Sequence, residues 1–477
     1  MITGATAAID LGARNNQVNI FSGANATLLT SNLNTDLDVD GSLGITIGAP
    51  LAVDGSATFS NGSVLNLNVD DFSTIDLNAP TIVLTAVDGV TDNGLSLEDS
   101  SILTDFSFAT TLNSIEAQVS LADFNGLFVD SNVTSFASAL QSGVVAGNDS
   151  ASFANVIGTL DGLDTAGEFE VAAAGVLPDV NIGLTREVYE NQSHVFDVIE
   201  GRLATRGDKK NDVWTQAFGR SASRDGGSLA TDTGFDANSF GFLLGYDHRF
   251  SQNLTGGFAF GYSSIDVDAG ANESEIDFFS FNLYGSYEQD NYYVRGALAY
   301  GFGDVESDRF SAVGSIDSES DLDQFSVNLV AGFDQAYGKH VFSPFVGLEY
   351  GNTLQDDFTE NGGLNLAVSA DSVSVLELGI GLGYSTEFKV SETPVRFISN
   401  AGYYVDLLAE ERSLNASFDG GDSFGLSGES ALRNSFEVGA ALEFDLSQYG
   451  SLTLGYQGEF RPDFDSHTGF ARWSFEF

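Results

Sequence analysis

The side chains best suited to catalysis are scarce and unevenly placed in this sequence. Its four histidines, His194, His248, His340 and His467, all fall in the C-terminal part, and there is no cysteine. The first 183 residues therefore cannot assemble a Ser-His-Asp triad or a histidine-based zinc site. Without a thiol there is no thiolate nucleophile, no thiolate metal site and no disulfide frame. Neither a phosphate loop nor a Gly-x-Ser-x-Gly nucleophile elbow is expected. The chain is thus not expected to be an enzyme, and no catalytic residue, cofactor or resident metal is assigned to it.

Two short patterns could still carry chemistry. Asp36-Leu-Asp-Val-Asp-Gly41 sets carboxylates at alternate positions ahead of a glycine, like the first half of a calcium loop. The twelfth position is Ile47 instead of a bidentate Glu, and Leu37 and Val39 alternate as in a strand. A strand edge is the plainer reading of Asp36, Asp38 and Asp40, with calcium left open. Arg206-Gly-Asp208 matches an integrin-binding tripeptide, a match short enough for chance to supply.

Any such residue has to be positioned by elements that composition already describes. Among 477 residues there are 54 Gly, 39 Phe and 15 Tyr against 6 Pro and 2 Trp, a balance suited to many strands and tight turns. No run of about 20 apolar residues exists, so no transmembrane helix is encoded. Met1-Ile2-Thr3-Gly4 lacks the basic start and apolar core of a signal peptide, so an exported form would be a trimmed one with an added Met1. A formal net charge of −50 repels polyanions, and nucleic acid is not expected as a partner.

A composition break divides the chain. Residues 1–183 hold 22 Asp and Glu but a single basic residue, Arg14. Short β-prone runs recur there between turn residues: 44–47, 57–59, 64–69, 81–87 and 115–121. Strands this short bury an apolar face only by stacking on neighbours, which predicts a β-solenoid, with a small antiparallel sandwich as the alternative. Near residue 184 the period changes. Leu184, Val188, Val195, Ile199 and Leu203 recur at spacings of four or seven, with Arg186, Glu187, Glu190, Asp197, Glu200 and Arg202 on other faces. A helix over about 184–204 would be about 30 Å long, close to the thickness of a bilayer core. Its charges forbid a lipid-facing position and require water or an aqueous lumen.

From residue 212 the period is two. Phe436, Val438, Ala440, Leu442, Phe444 and Leu446 share one face, opposite Glu437, Gly439, Ala441, Glu443 and Asp445. Twelve such strands can be drawn, many with tyrosine or phenylalanine near their ends, as at Tyr246, Phe250, Tyr287 and Tyr456. The connections 251–253, 289–290, 338–339, 390–393 and 448–449 are short, whereas 304–322, 355–372 and 408–431 read as long acidic loops. An even number of alternating strands, with tight turns at one end and long loops at the other, is the pattern of an outer-membrane β-barrel.

The layout resembles the autotransporters, the type V secretion proteins of Gram-negative bacteria. Three features carry the resemblance: a Gly/Asn/Ser-rich solenoid-like passenger, a charged helix ending Phe196-Asp-Val-Ile-Glu-Gly-Arg-Leu-Ala204, and a barrel that opens Asn211-Asp-Val-Trp-Thr-Gln-Ala-Phe-Gly219 and closes Phe470-Ala-Arg-Trp-Ser-Phe-Glu-Phe477. It implies an all-β chain with a passenger segment over 1–183, a lumenal linker helix over 184–210, and a twelve-stranded translocator barrel over 211–477. It further implies a monomer set in outer-membrane lipid, with its passenger at the cell surface. Trp473, Phe475 and Phe477 would be the terminal signal read by the outer-membrane assembly machinery. Some members release their passenger by cleavage within the helix, for which Asn191, Asp197 and Glu200 qualify by residue type alone. Arg206-Gly-Asp208 would lie at the periplasmic base, out of reach of a host receptor. The rival expectation is a porin-like channel with an N-terminal accessory domain.

Overall fold

The computed structural model describes residues 18–27, 31–69, 75–77, 79–98, 102–148, 150–160, 163, 165–180, 183–205, 209–419, 421–428 and 434–477. They form two compact units, one reaching to Ala174 and including Phe418–Phe424, the other holding the remainder of the chain.

The first unit begins as a parallel β-solenoid. Its strands are two to six residues long and stack in register, so that Ile20 lies over Val39 and Val39 over Phe59, while Ala26 lies over Leu43 and Leu43 over Leu65. Each of these side chains is buried, and no rung could bury its apolar residues without the next. Asp36, Asp38 and Asp40 belong to one rung. Leu37 and Val39 are buried between them, and Asp36 accepts hydrogen bonds from the Ser56 backbone N–H (2.7 Å) and hydroxyl (3.0 Å) of the next turn. Those bonds hold the Asp36 carboxyl below its usual range.

The solenoid ends in antiparallel pairing, where Ser114–Leu121 lies between Thr104–Thr110 and Thr81–Ala86 and covers the open edge. The expectation of a solenoid throughout 1–183 stops there. Three helices follow: α1 (Ser131–Ala146), α2 (Ala151–Leu160) and α3 (Ala166–Val176). Asp130 caps α1 by accepting from the Asn132 N–H (2.9 Å), and Gly147 at φ 67° ends it. Val133, Phe136, Ala137, Leu140 and Val144 form its buried stripe, a period of three to four among small residues that is easily taken for more β-prone sequence. Phe418 and Phe424 complete this unit's aromatic core, with ring centroids 6.0 and 5.5 Å from Phe136.

The second unit is a closed antiparallel barrel of twelve strands: β1 (Asn211–Arg224), β2 (Phe235–Arg249), β3 (Leu254–Ala269), β4 (Asn272–Gln289), β5 (Tyr292–Ser311), β6 (Gly314–Phe333), β7 (His340–Gln355), β8 (Val373–Val390), β9 (Thr393–Ala409), β10 (Asn434–Asp445), β11 (Ser451–Arg461) and β12 (Phe464–Glu476). β12 pairs with β1 from Asp212 to Arg224, so no edge remains. A fourth helix, α4 (Gly183–Thr205), precedes β1.

The first of the segments expected to be long loops is strand instead. The stretch 304–322 is the end of β5, a two-residue turn and the start of β6, and β3 and β4 likewise meet across Gly270 and Ala271. At about 3.3 Å per residue, the 20 residues of β5 span roughly 65 Å, twice the bilayer core. The extensions were hidden because their outward residues switch from aromatic to acidic beyond the lipid while the ladder continues unbroken. Phe258 and Phe260 point outward within the apolar belt, and Asp266 and Asp268 point outward beyond it, on the same face of β3.

This switch places like charges directly opposite one another. Asp236, Asp268, Glu273, Asp308 and Asp317 form one cross-strand row, and Asp266, Glu275, Glu306 and Glu319 form a second. Opposed like charges on neighbouring strands destabilise by about 0.2–1 kcal/mol per pair, an effect that salt screens. Raising NaCl from about 10 mM to about 300 mM, which shortens the Debye length severalfold, should therefore raise the barrel's unfolding midpoint, read as heat-modifiable mobility on gels. A midpoint that stays flat or falls would contradict this.

Candidate functional site: the barrel lumen and its helix

The helix α4 runs along the lumen. Its 23 residues make about 34 Å of helix, and nearly all are buried, charged residues included. Its first turns pack where the long hairpins lie: Leu184 and Val188 join Phe235, Ile265, Val267, Phe278 and Val305. Its later turns, Val195, Phe196, Ile199 and Leu203, pack with Trp214, Leu243, Ala259 and Tyr284 nearer the tight turns. Both clusters draw on β1 to β5. One side of the lumen is therefore apolar and takes the helix stripe.

Each of the six charged residues singled out on the helix meets an inward-facing barrel residue. Arg186 lies between Glu190 on its own helix and Asp406 of β9 (3.4 Å). Glu187 pairs with Arg220 of β1, and Glu190 also faces Arg461 of β11 (3.7 Å). Asp197 accepts from the Gln457 amide, and Glu200 pairs with Arg295 of β5 at 2.6 Å. Arg202 pairs with Asp212 and reaches Asp247 (3.2 Å) and Glu476 (3.8 Å), joining β1, β2 and β12. Arg206 and Asp208 lie outside the described residues.

Among the charged residues of the wall, Arg295 faces the helix directly. Glu377 is reached by Arg461 (3.4 Å) and Glu443 by Arg396 (3.8 Å), both of them barrel arginines. Arg220, Arg461 and Arg472 were not among the expected site residues; their signal is a basic residue at the inward parity of a strand whose outward neighbours are apolar or small. A wall glycine also seats the helix: the Tyr189 ring lies over Gly351, where an added Cβ would come within 2.6 Å of it. Trp214 covers Gly245 in the same way and donates to the Tyr284 hydroxyl at 3.0 Å.

At the outer end the chain entering α4 is held as well. Arg309 donates to the Val176 carbonyl (2.9 Å) and pairs with Glu360 (2.8 Å), and burial keeps the Glu360 carboxyl above its usual range in spite of that arginine.

The histidines are dispersed. His194 meets Gln457 (3.3 Å), His248 meets Asn211 (2.9 Å), His340 meets Tyr384 (2.8 Å) and His467 meets Tyr456 (2.7 Å). A Gly-x-Ser-x-Gly spacing does occur, at Gly421 to Gly425, although none had been assigned; Ser423 opens a β-strand there and not the strand-to-helix turn of a nucleophile elbow. Of the residues considered for cleavage, Asp197 and Glu200 are engaged as described, and Asn191 is 2% exposed.

Trp473, Phe475 and Phe477 line up on the outward face of β12. They are 40%, 37% and 55% exposed, their rings stack at 6.0 and 6.2 Å, and Trp473 donates to the Tyr449 carbonyl at 2.9 Å.

Residues 213–457, just over half of the chain, match the family model described as the autotransporter beta-domain. The chain belongs to the autotransporter family. Its place is the outer membrane, in contact with the lipid, and its C-terminal barrel is a translocator domain by family. The translocator domain of the autotransporter NalP from Neisseria meningitidis shares the fold, with a TM-score of 0.51 at 15% identity over 61% of this chain and 97% of that one. In sequence, this autotransporter is 26% identical to outer membrane protein B of Rickettsia rickettsii over 341 residues, 66% of the chain. It is 22% identical to an extracellular serine protease of Serratia marcescens over 54% of the chain. The chain spans only 19% and 26% of the lengths of those two relatives.

Proposed function

We propose that this protein carries its own N-terminal segment across the outer membrane and displays it at the cell surface. The observation that carries the reading is α4: it enters the lumen at the long-hairpin end, fills one side of it, and leaves at the tight-turn end to begin β1 at Asn211. In outer-membrane barrels the long-hairpin end faces outward. A chain fixed along that path has its upstream part outside the cell and its downstream part built into the wall. Residues 1–183 are then the passenger, 184–210 the link and 211–477 the translocator. The passenger is proposed to act by display and not by catalysis, the barrel to work as a monomer, and Trp473, Phe475 and Phe477 to be the feature that the assembly machinery reads.

An epitope placed ahead of Val18 tests this in intact cells. External protease should remove the epitope while a periplasmic marker survives; an epitope protected until the outer membrane is breached would overturn the proposal. The porin-like alternative makes a different prediction about the same helix. Because α4 fills one side of the lumen, deleting residues 184–206 should raise single-channel conductance in planar bilayers severalfold, and unchanged conductance would favour a pore in which the helix plays no part.

A further inference from the structure

We infer that the part of the lumen left open by α4 is a binding site for a linear aliphatic polyamine. The apolar clusters draw the helix against β1 to β5. Walled mostly by the other strands, with Gln216 of β1 and Tyr293 and Arg295 of β5, there remains a cavity of about 620 Å³, within the usual range for small-molecule sites. It reaches the tight-turn end at Gly338 and Lys339, which gives entry from the side opposite the long hairpins.

The cavity wall is acidic beyond what its own bases compensate. Seven Asp and Glu line it against four Lys and Arg. Arg295 is committed to Glu200, and Arg396 to Glu387. Three carboxylates face the cavity with no basic partner. Asp197 meets only the Gln457 amide, Glu349 meets neutral Asn328 (2.9 Å) and Ser193, and Glu437 forms no hydrogen bond or ion pair among the described residues. Independently of charge, Gln216 lines the same cavity at 1% exposure with neither its amide oxygen nor its amide nitrogen hydrogen-bonded. A buried amide lacking both partners is an incomplete polar site, since leaving such groups unmade costs about 1–3 kcal/mol each.

The arrangement selects the ligand. Among the described residues no three acids are placed to hold a metal ion, and one ligand that answers several separate carboxylates has to carry several positive charges. Ammonium and secondary ammonium groups strung along a flexible methylene chain provide those charges. They donate to carboxylate and amide oxygens alike.

Calorimetric titration of the full 477-residue chain in detergent micelles, with spermidine as the probe, tests the inference. Spermidine should bind saturably at one site, and at least about tenfold more tightly than propylamine or Mg²⁺ at equal charge concentration. The double variant Glu349→Gln, Glu437→Gln should weaken binding by about tenfold or more, whereas Glu306→Gln on the outer face should leave it within about twofold. Non-saturable binding, equal affinity for the three cations, or an undiminished affinity in the folded double variant would each overturn the site. Should the double variant fail to show heat-modifiable mobility, the ranking of cations on the unaltered protein decides alone.

Discussion

Replacing Arg202 by methionine is expected to destabilise the barrel by about 3–5 kcal/mol, the cost of stranding buried carboxylates when their cation is removed. Arg202 is 2% exposed, and Asp212 and Asp247, the two acids it joins, have no exposed surface. Asp247 keeps hydrogen bonds from Trp214 (3.3 Å) and Tyr284, but Asp212 loses its only ion-pair partner among the described residues. The affected strands, β1, β2 and β12, include the pair that closes the barrel. The unfolding midpoint by gel mobility should drop by many degrees, and Asp212→Asn added to the Arg202→Met variant should restore part of the loss. A drop of less than about 1 kcal/mol, the range of exposed pairs, would show that water reaches this cluster freely.

Deleting Phe475–Phe477 should have a still larger effect, read as assembly and not as midpoint. Phe477 and Asn211 exchange two backbone hydrogen bonds (2.9 and 3.0 Å), and Val213 pairs with Phe475 and Asp212 with Glu476. Without them the N-terminal end of β1 becomes an open edge, and each unsatisfied backbone group facing hydrocarbon costs several kcal/mol. The stacked ring face begun at Trp473 is shortened at the same time. Heat-modifiable barrel in the outer-membrane fraction should fall by more than about tenfold, since 1.4 kcal/mol already corresponds to that factor. Phe475→Leu and Phe477→Leu, which keep the backbone pairing, separate the two contributions. If the deletion leaves the amount of folded barrel unchanged, neither closure nor the ring face limits assembly.

Much of this architecture could be read locally. The parity of Phe436 to Leu446 requires a two-faced strand, and the spacing of Leu184, Val188, Val195, Ile199 and Leu203 requires an amphipathic helix, because both periods follow from backbone geometry alone. The turns were equally plain: Asp290 sits at φ 58° and Gly338 at φ 65°, conformations that short polar residues and glycine adopt most readily. The helices α1 to α3 were missed because Ser131 to Val176 is rich in Ala, Val, Ser and Gly, which leaves period as the only cue, and that cue is weak over helices of 10 to 16 residues.

What the sequence determined by itself, then, is the order of the lumenal helix and the twelve barrel strands and which face of each strand meets lipid. What the tertiary structure decided is which side of the lumen holds the helix and which charges meet. Val195 and Phe196 lie against Leu243 and Ala259 of two strands far along the chain, and Glu187, Glu200 and Arg202 find Arg220, Arg295 and Asp212 only after the sheet has closed. Strand parity assigns a residue to the inside of a barrel but gives no position around its circumference. That position is set by the stagger of strands in the closed sheet, and by the one face of the wall apolar enough to receive the helix.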